Sequence, residues 1–121
     1  ICKIFEGTIA STGVSEKVLL QLGDKDFEKV YLYPNSHAGY YPGAHGMALK
    51  LLVDPESDRI LGAQGVGESG VDKRIDVIAT AMRFNGTVDD LTGVDLAYAP
   101  QFGAAKDPVH IAAFVAGEYA S

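Results

Sequence analysis

The sequence predicts an α+β domain, a two-layer sandwich with helices on one face of a mostly antiparallel sheet. Two apolar runs, 47–53 and 60–66, flank a turn-rich stretch and read as a hairpin, which implies antiparallel pairing. Residues 72–84 carry Ile75, Ile78, Ala79 and Met82 at helical spacing. Strand-like segments also outnumber what an alternation of single strands and helices would need.

From Ile1 to Ala10 the residues Ile4, Phe5, Thr8 and Ile9 favour a strand, broken or bulged near Gly7. Ser15 followed by Glu16, then Val18, Leu19 and Leu22, closed by Gly23, reads as a short capped helix over 15–22. Phe27, Val30, Leu32 and Tyr33 form the next strand, ended or pushed to a sheet edge by Pro34 and Asn35. Residues 36–44 are too rich in Gly and aromatics for regular structure. In the hairpin, Asp54-Pro55-Glu56-Ser57-Asp58-Arg59 favours a type I turn or a slightly longer loop. The 72–84 helix has Asn85-Gly86 just past its end, and Thr87 with Asp90 three residues on caps another short helix. Asp107-Pro108 opens the last helix, whose end is expected near Gly117.

At 121 residues the chain is read as one domain, a size at which a core buries roughly two thirds of the unfolded chain's surface. A formal net charge of −6 argues against a nucleic-acid partner, because phosphate neutralisation needs a basic face. The longest apolar runs are far too short to cross a bilayer as helices, so no membrane partner is expected. With a single cysteine, Cys2, and no signal-like opening, the expected setting is the cytoplasm. The strand-like start without an initiator Met suggests a piece of something longer.

Several residues invite chemistry. His37, His45 and His110 match no zinc spacing, and no second cysteine helps them, so no metal is expected. Gly65-Val66-Gly67-Glu68-Ser69-Gly70 formally satisfies GxGxxG, but its strand belongs to a hairpin and Glu68 would repel a pyrophosphate. Close backbone approach explains these glycines better. Tyr40, Tyr41 and Tyr98 stand in irregular segments, where a phenol either packs or donates a hydrogen bond to an anion. Lys106 sits beside the cap of the last helix, where a lone lysine is ordinarily solvated.

Three segments together resemble a known family: His37-Ala38-Gly39-Tyr40-Tyr41-Pro42-Gly43-Ala44, Asp72-Lys73-Arg74-Ile75-Asp76-Val77, and the run from Asp95 to Val109 containing Ala97-Tyr98-Ala99-Pro100. They look like the carboxyl-terminal dimerisation domain of coenzyme A-disulfide reductases and the related NADH oxidases and peroxidases. The resemblance spans nearly the whole chain. It implies a parent enzyme using FAD and NAD(P)H, whose flavin and nicotinamide domains and redox cysteine lie outside this sequence. No cofactor is expected on this domain alone, and Cys2 is not matched to the redox cysteine. The glutathione reductase branch has a His-Pro pair where this chain has Tyr98, a departure that favours the coenzyme A-disulfide and NADH oxidase branch, and the presence of two tyrosines rather than one favours the coenzyme A-disulfide subgroup within it. By resemblance, two copies form a homodimer in which Tyr40 and Tyr98 reach the neighbour's active site. Tyr98 would then lie by the flavin, with Tyr40 and Lys106 toward a coenzyme A disulfide substrate and Tyr41 held in reserve. The alternatives are the same module of an NADH oxidase or peroxidase, or a freestanding small-molecule binding or interaction domain.

Overall fold

In the computed structural model, which describes residues 1–23 and 26–120, five strands form one sheet in the order β1-β2-β5-β4-β3. The strands are β1 Cys2–Ile4, β2 Gly7–Gly13, β3 Glu28–Leu32, β4 Met47–Val53 and β5 Ile60–Gly67, and each neighbouring pair is antiparallel. The helices are α1 Glu16–Gln21, α2 Val71–Arg83, α3 Val88–Thr92 and α4 Pro108–Ala120.

Alternation along the strands decides the layers. Val30, Leu32, Met47, Leu49, Leu51 and Val53 point to one face, where they meet Ile75 and Ile78 of α2 and Val109, Ala112, Ala113 and Ala116 of α4. Each fully buried Leu or Ile there contributes roughly 1.5–3 kcal/mol. This is the expected sandwich. The short α1 is tied to the reverse face, because Glu16 pairs with Lys29 at 2.8 Å and Lys50 at 2.7 Å, and both lysines alternate with inward residues. Ser15 caps α1 by accepting the Val18 amide.

The local differences from expectation have physical causes. The break near Gly7 is a complete chain reversal, with Phe5 in the left-handed region at φ 54, so two strands replace one. The β4–β5 connection is the longer of the two forms anticipated. The Asp54 carboxylate accepts from the Glu56 amide and the Ser57 hydroxyl, and Asp58, at φ 61, returns its amide to the Asp54 carbonyl at 2.8 Å. Asn85 takes the left-handed position that ends α2, and the Gly86 amide reaches back to Ala81 at 2.7 Å. Thr87 and Asp90 form a reciprocal capping box on α3. The last helix passes Gly117 rather than ending near it. Gly117 lies beside Val88, and α4 continues past it along α3 to Ala120.

The glycines of β5 set how near α2 can come. A methyl group on Gly65 would lie 2.9 Å from Val71 Cγ1, and one on Gly67 would lie 2.8 Å from Met47 Cβ. Gly70, at φ 75, begins the turn into α2, and any side chain there would meet the Arg74 guanidinium. The GxGxxG-like run therefore serves helix–sheet packing.

Candidate functional site

Two irregular loops, 33–46 and 93–107, meet over the first turn of α2. The base of the first is closed by Ser36, whose amide donates to the His45 carbonyl at 2.8 Å and whose hydroxyl accepts the His45 amide. The Tyr41 amide then donates to the Ala38 carbonyl at 3.0 Å, a turn that carries Tyr40 at its tip. In the second loop the Phe102 and Gly103 amides both donate to the Ala99 carbonyl. The Ala38 amide joins the loops through the Gly103 carbonyl at 2.9 Å.

That joint brings two of the sequence-selected residues together. The hydroxyls of Tyr40 and Tyr98, 58 residues apart in the chain, lie 3.2 Å from each other. Both side chains stay open to solvent, with Tyr40 79% and Tyr98 52% exposed. The hydrogen bond to Tyr40, followed by partial desolvation and the charge Tyr40 could carry, raises the Tyr98 pKa above its ordinary 10.0. Tyr41 does not join the pair. Its ring stands edge-on to buried His37, with centroids 5.8 Å apart.

Beneath the tyrosines lies a residue the sequence reading passed over. Arg74, only 1% exposed, extends from α2 into the gap between the loops. Its Nε and Nη2 donate to the two Asp107 carboxylate oxygens at 3.3 and 3.1 Å. Nη2 also donates to the carbonyls of Ser36 at 2.7 Å and Phe102 at 3.3 Å, and Nη1 donates to Gly70 at 3.2 Å. One guanidinium thus binds both loops and the α2 turn. Asp107 has a second task, accepting the Val109 amide at 3.0 Å as the cap of α4. A cleft of about 440 Å³ opens beside this clamp, lined in part by His37, Lys73, Tyr98, Gln101 and Phe102.

Lys106 is not brought to the tyrosine pair. Its ammonium lies 5.1 Å from the Phe114 ring centroid, in a separate cleft shared with Asp95 and His110. The histidines are likewise scattered. His37 contacts the Ala38 carbonyl, His45 pairs with Glu68 at 2.9 Å, and His110 contacts Val94 and Asp107. Cys2 is exposed on β1. Among the described residues no group of three or more His, Cys, Asp or Glu is placed to hold a metal, and no helix is long and apolar enough to cross a membrane.

Fold and joined loops define the class. Residues 1–108 match the family described as the pyridine nucleotide-disulphide oxidoreductase dimerisation domain, and the chain belongs to that family. Within it, the coenzyme A disulfide reductases of Staphylococcus epidermidis and Staphylococcus aureus are 39% and 40% identical to it over 116 residues. Each match covers 96% of this chain, and the chain spans only about a quarter, 26%, of those relatives. The solved structure of reduced Bacillus anthracis CoADR-RHD matches with a TM-score of 0.94 at 47% identity, over 98% of this chain and 21% of that one. A NAD-dependent persulfide reductase from A. fulgidus matches at 0.91 and 44%, over 97% and 22% of the two chains. The water-forming NADH oxidase of Lactobacillus brevis matches at 0.91 and 25%, over 98% and 26%.

Proposed function

We propose that residues 1–121 are the interface domain of a cytoplasmic, FAD- and NAD(P)H-dependent reductase of the coenzyme A-disulfide type. In this reading the domain pairs with a second copy and lends Tyr40 and Tyr98 to the neighbouring subunit's redox centre. The observation that carries the reading is the 3.2 Å contact between two phenols that this domain leaves open to solvent.

A phenol pair uses one O–H internally and leaves the other free to donate outward. Reducing a disulfide releases a thiolate, and a fixed O–H donor stabilises that charge as it forms. A phenol holds its proton at neutral pH, as a donor requires, and the Tyr98 shift is in the direction that retains it. Lys106, exposed in its own cleft, suits the phosphates of a coenzyme A chain lying away from the sulfur atoms. FAD and the nicotinamide would be held by other domains of the parent, since the glycines of the GxGxxG-like run are taken up in packing. Two of the solved relatives at 44% identity or above are named for coenzyme A disulfide or persulfide reduction. The NADH oxidase or peroxidase reading rests on the more distant match at 25%.

In the full-length enzyme, Tyr98→Phe is expected to slow disulfide reduction about 10- to 100-fold, the worth of one hydrogen bond to a charged group, with FAD content unchanged. Unchanged turnover in a stopped-flow assay of flavin reoxidation by coenzyme A disulfide would overturn the role. The outer face of α2 offers a contact surface for pairing. Val77, Thr80, Ala81 and Phe84 with Leu96 line a shallow apolar groove, edged by Lys73 and Asp76, whose opposite charges complement each other across a two-fold axis. Thr80→Arg on this exposed face should shift the enzyme toward monomer in sedimentation velocity.

A further inference from the structure

Residues 95–106 carry both Tyr98 and Lys106 but contain no helix or strand. The run leaves α3 and returns to the cap of α4, so something must hold its two ends. His110, in the first turn of α4, touches both. Its Nε2 lies 2.7 Å from the Val94 carbonyl oxygen, and its Nδ1 accepts the Asp107 amide at 3.1 Å. A backbone amide only donates and a carbonyl only accepts, so the two contacts together require a bare Nδ1 and a proton on Nε2.

We infer that His110 is a positioning residue for the Tyr98-bearing segment, a neutral Nε2–H imidazole that closes both ends of that segment onto α4. A cleft of about 260 Å³ enclosed by the segment is lined by His110 together with Val94, Tyr98, Gly103 and Asp107. In sequence terms His110 stands where a capping box would place Glu or Gln, three residues after the cap. The imidazole does the same work on the Asp107 amide and also reaches Val94, which a simple cap does not.

Protonating the ring puts a hydrogen on Nδ1, facing the amide it accepted from, and that bond is lost. The charged and titratable groups around the ring are Asp95, Lys106 and Tyr98, which share its clefts, and Asp107, which Arg74 engages. Acid therefore releases the His110 attachment while the Arg74–Asp107 pair still holds the segment's far end. The inference concerns how the segment is held and does not depend on what Tyr98 does in turnover.

The test uses the full-length enzyme with ¹⁵N-labelled histidine and hydrogen exchange of the peptide spanning 95–107. The His110 ring should show a pyrrole-type Nε2 and a pyridine-type Nδ1. His110→Gln, which keeps one acceptor and one donor without titrating, should exchange like the native chain at neutral pH. His110→Phe, which removes both contacts, should exchange roughly 5- to 100-fold faster, as expected for losing two such hydrogen bonds. On acidification the native peptide should lose protection relative to the Gln variant, in step with the His110 ring signal. A protonated Nδ1 in the native enzyme, equal exchange in the Phe variant, or identical pH profiles for native and Gln forms would each overturn the inference. Should the Phe variant fail to fold, the ring tautomer and the native-versus-Gln profile decide.

Discussion

Two ion-pair clusters on opposite faces of the sheet use the same chemistry to different ends. On the site face, Arg74 and Asp107 are both buried and every guanidinium contact is to a loop or a turn. On the reverse face, Glu16 bridges Lys29 and Lys50 while remaining partly open to water, and it fixes one short helix. Solvent makes the difference. A buried pair is screened little, and removing one partner strands the other, whereas a surface cluster is screened by water and salt. Burial turns a charge pair into the joint of a site.

The strongest way to break this contrast is Arg74→Met, which takes the guanidinium from a buried carboxylate and from the Ser36 and Phe102 carbonyls. It should cost about 3–5 kcal/mol in urea unfolding and separate the Tyr40–Tyr98 pair. Asp107→Asn should cost less, about 1–3 kcal/mol, because the amide oxygen still caps α4 and the guanidinium keeps its carbonyls. Glu16→Gln should produce the smallest loss, and one that shrinks as salt rises. Its two lysine partners, Lys29 first and then Lys50, hold the Glu16 carboxyl down to about 2 from an ordinary 4.5. A depressed pKa of this kind contributes fully above pH 4.5 and fades as pH falls toward about 2. The gap in urea midpoint between native and Gln chains should therefore close across that window, and a gap that survives at its acid end would contradict the ion-pair account.

What the sequence made legible was local. The β4–β5 hairpin, the Ser15, Thr87 and Asp107 caps and the amphipathic α2 are written in residues a few positions apart, where periodicity and capping act. The two tyrosines stood out because aromatics in Gly-rich loops break core spacing. Their partnership was not legible, since nothing local links position 40 to position 98. Arg74 was hidden for a related reason. Within Asp72-Lys73-Arg74 it looks like one more charge at a helix start, and only the fold reveals that its side chain turns inward to carbonyls from three separate segments. The break near Gly7 was legible, but that it is a full reversal at Phe5 was not, because no Asn-Gly or Asp-Gly pair announces it.

The hydrogen-sized side chains of Gly65 and Gly67 have a further bearing on the tyrosines. They fix the gauge between sheet and α2, and Arg74 leaves that helix one turn after Val71, the residue lying closest to Gly65. Alanine at either glycine would push on Val71 or Met47 and lift the start of the helix, carrying the guanidinium out of reach of Ser36 and Phe102. The alignment of two surface phenols is thus governed by a tolerance of less than one methyl group in the interior.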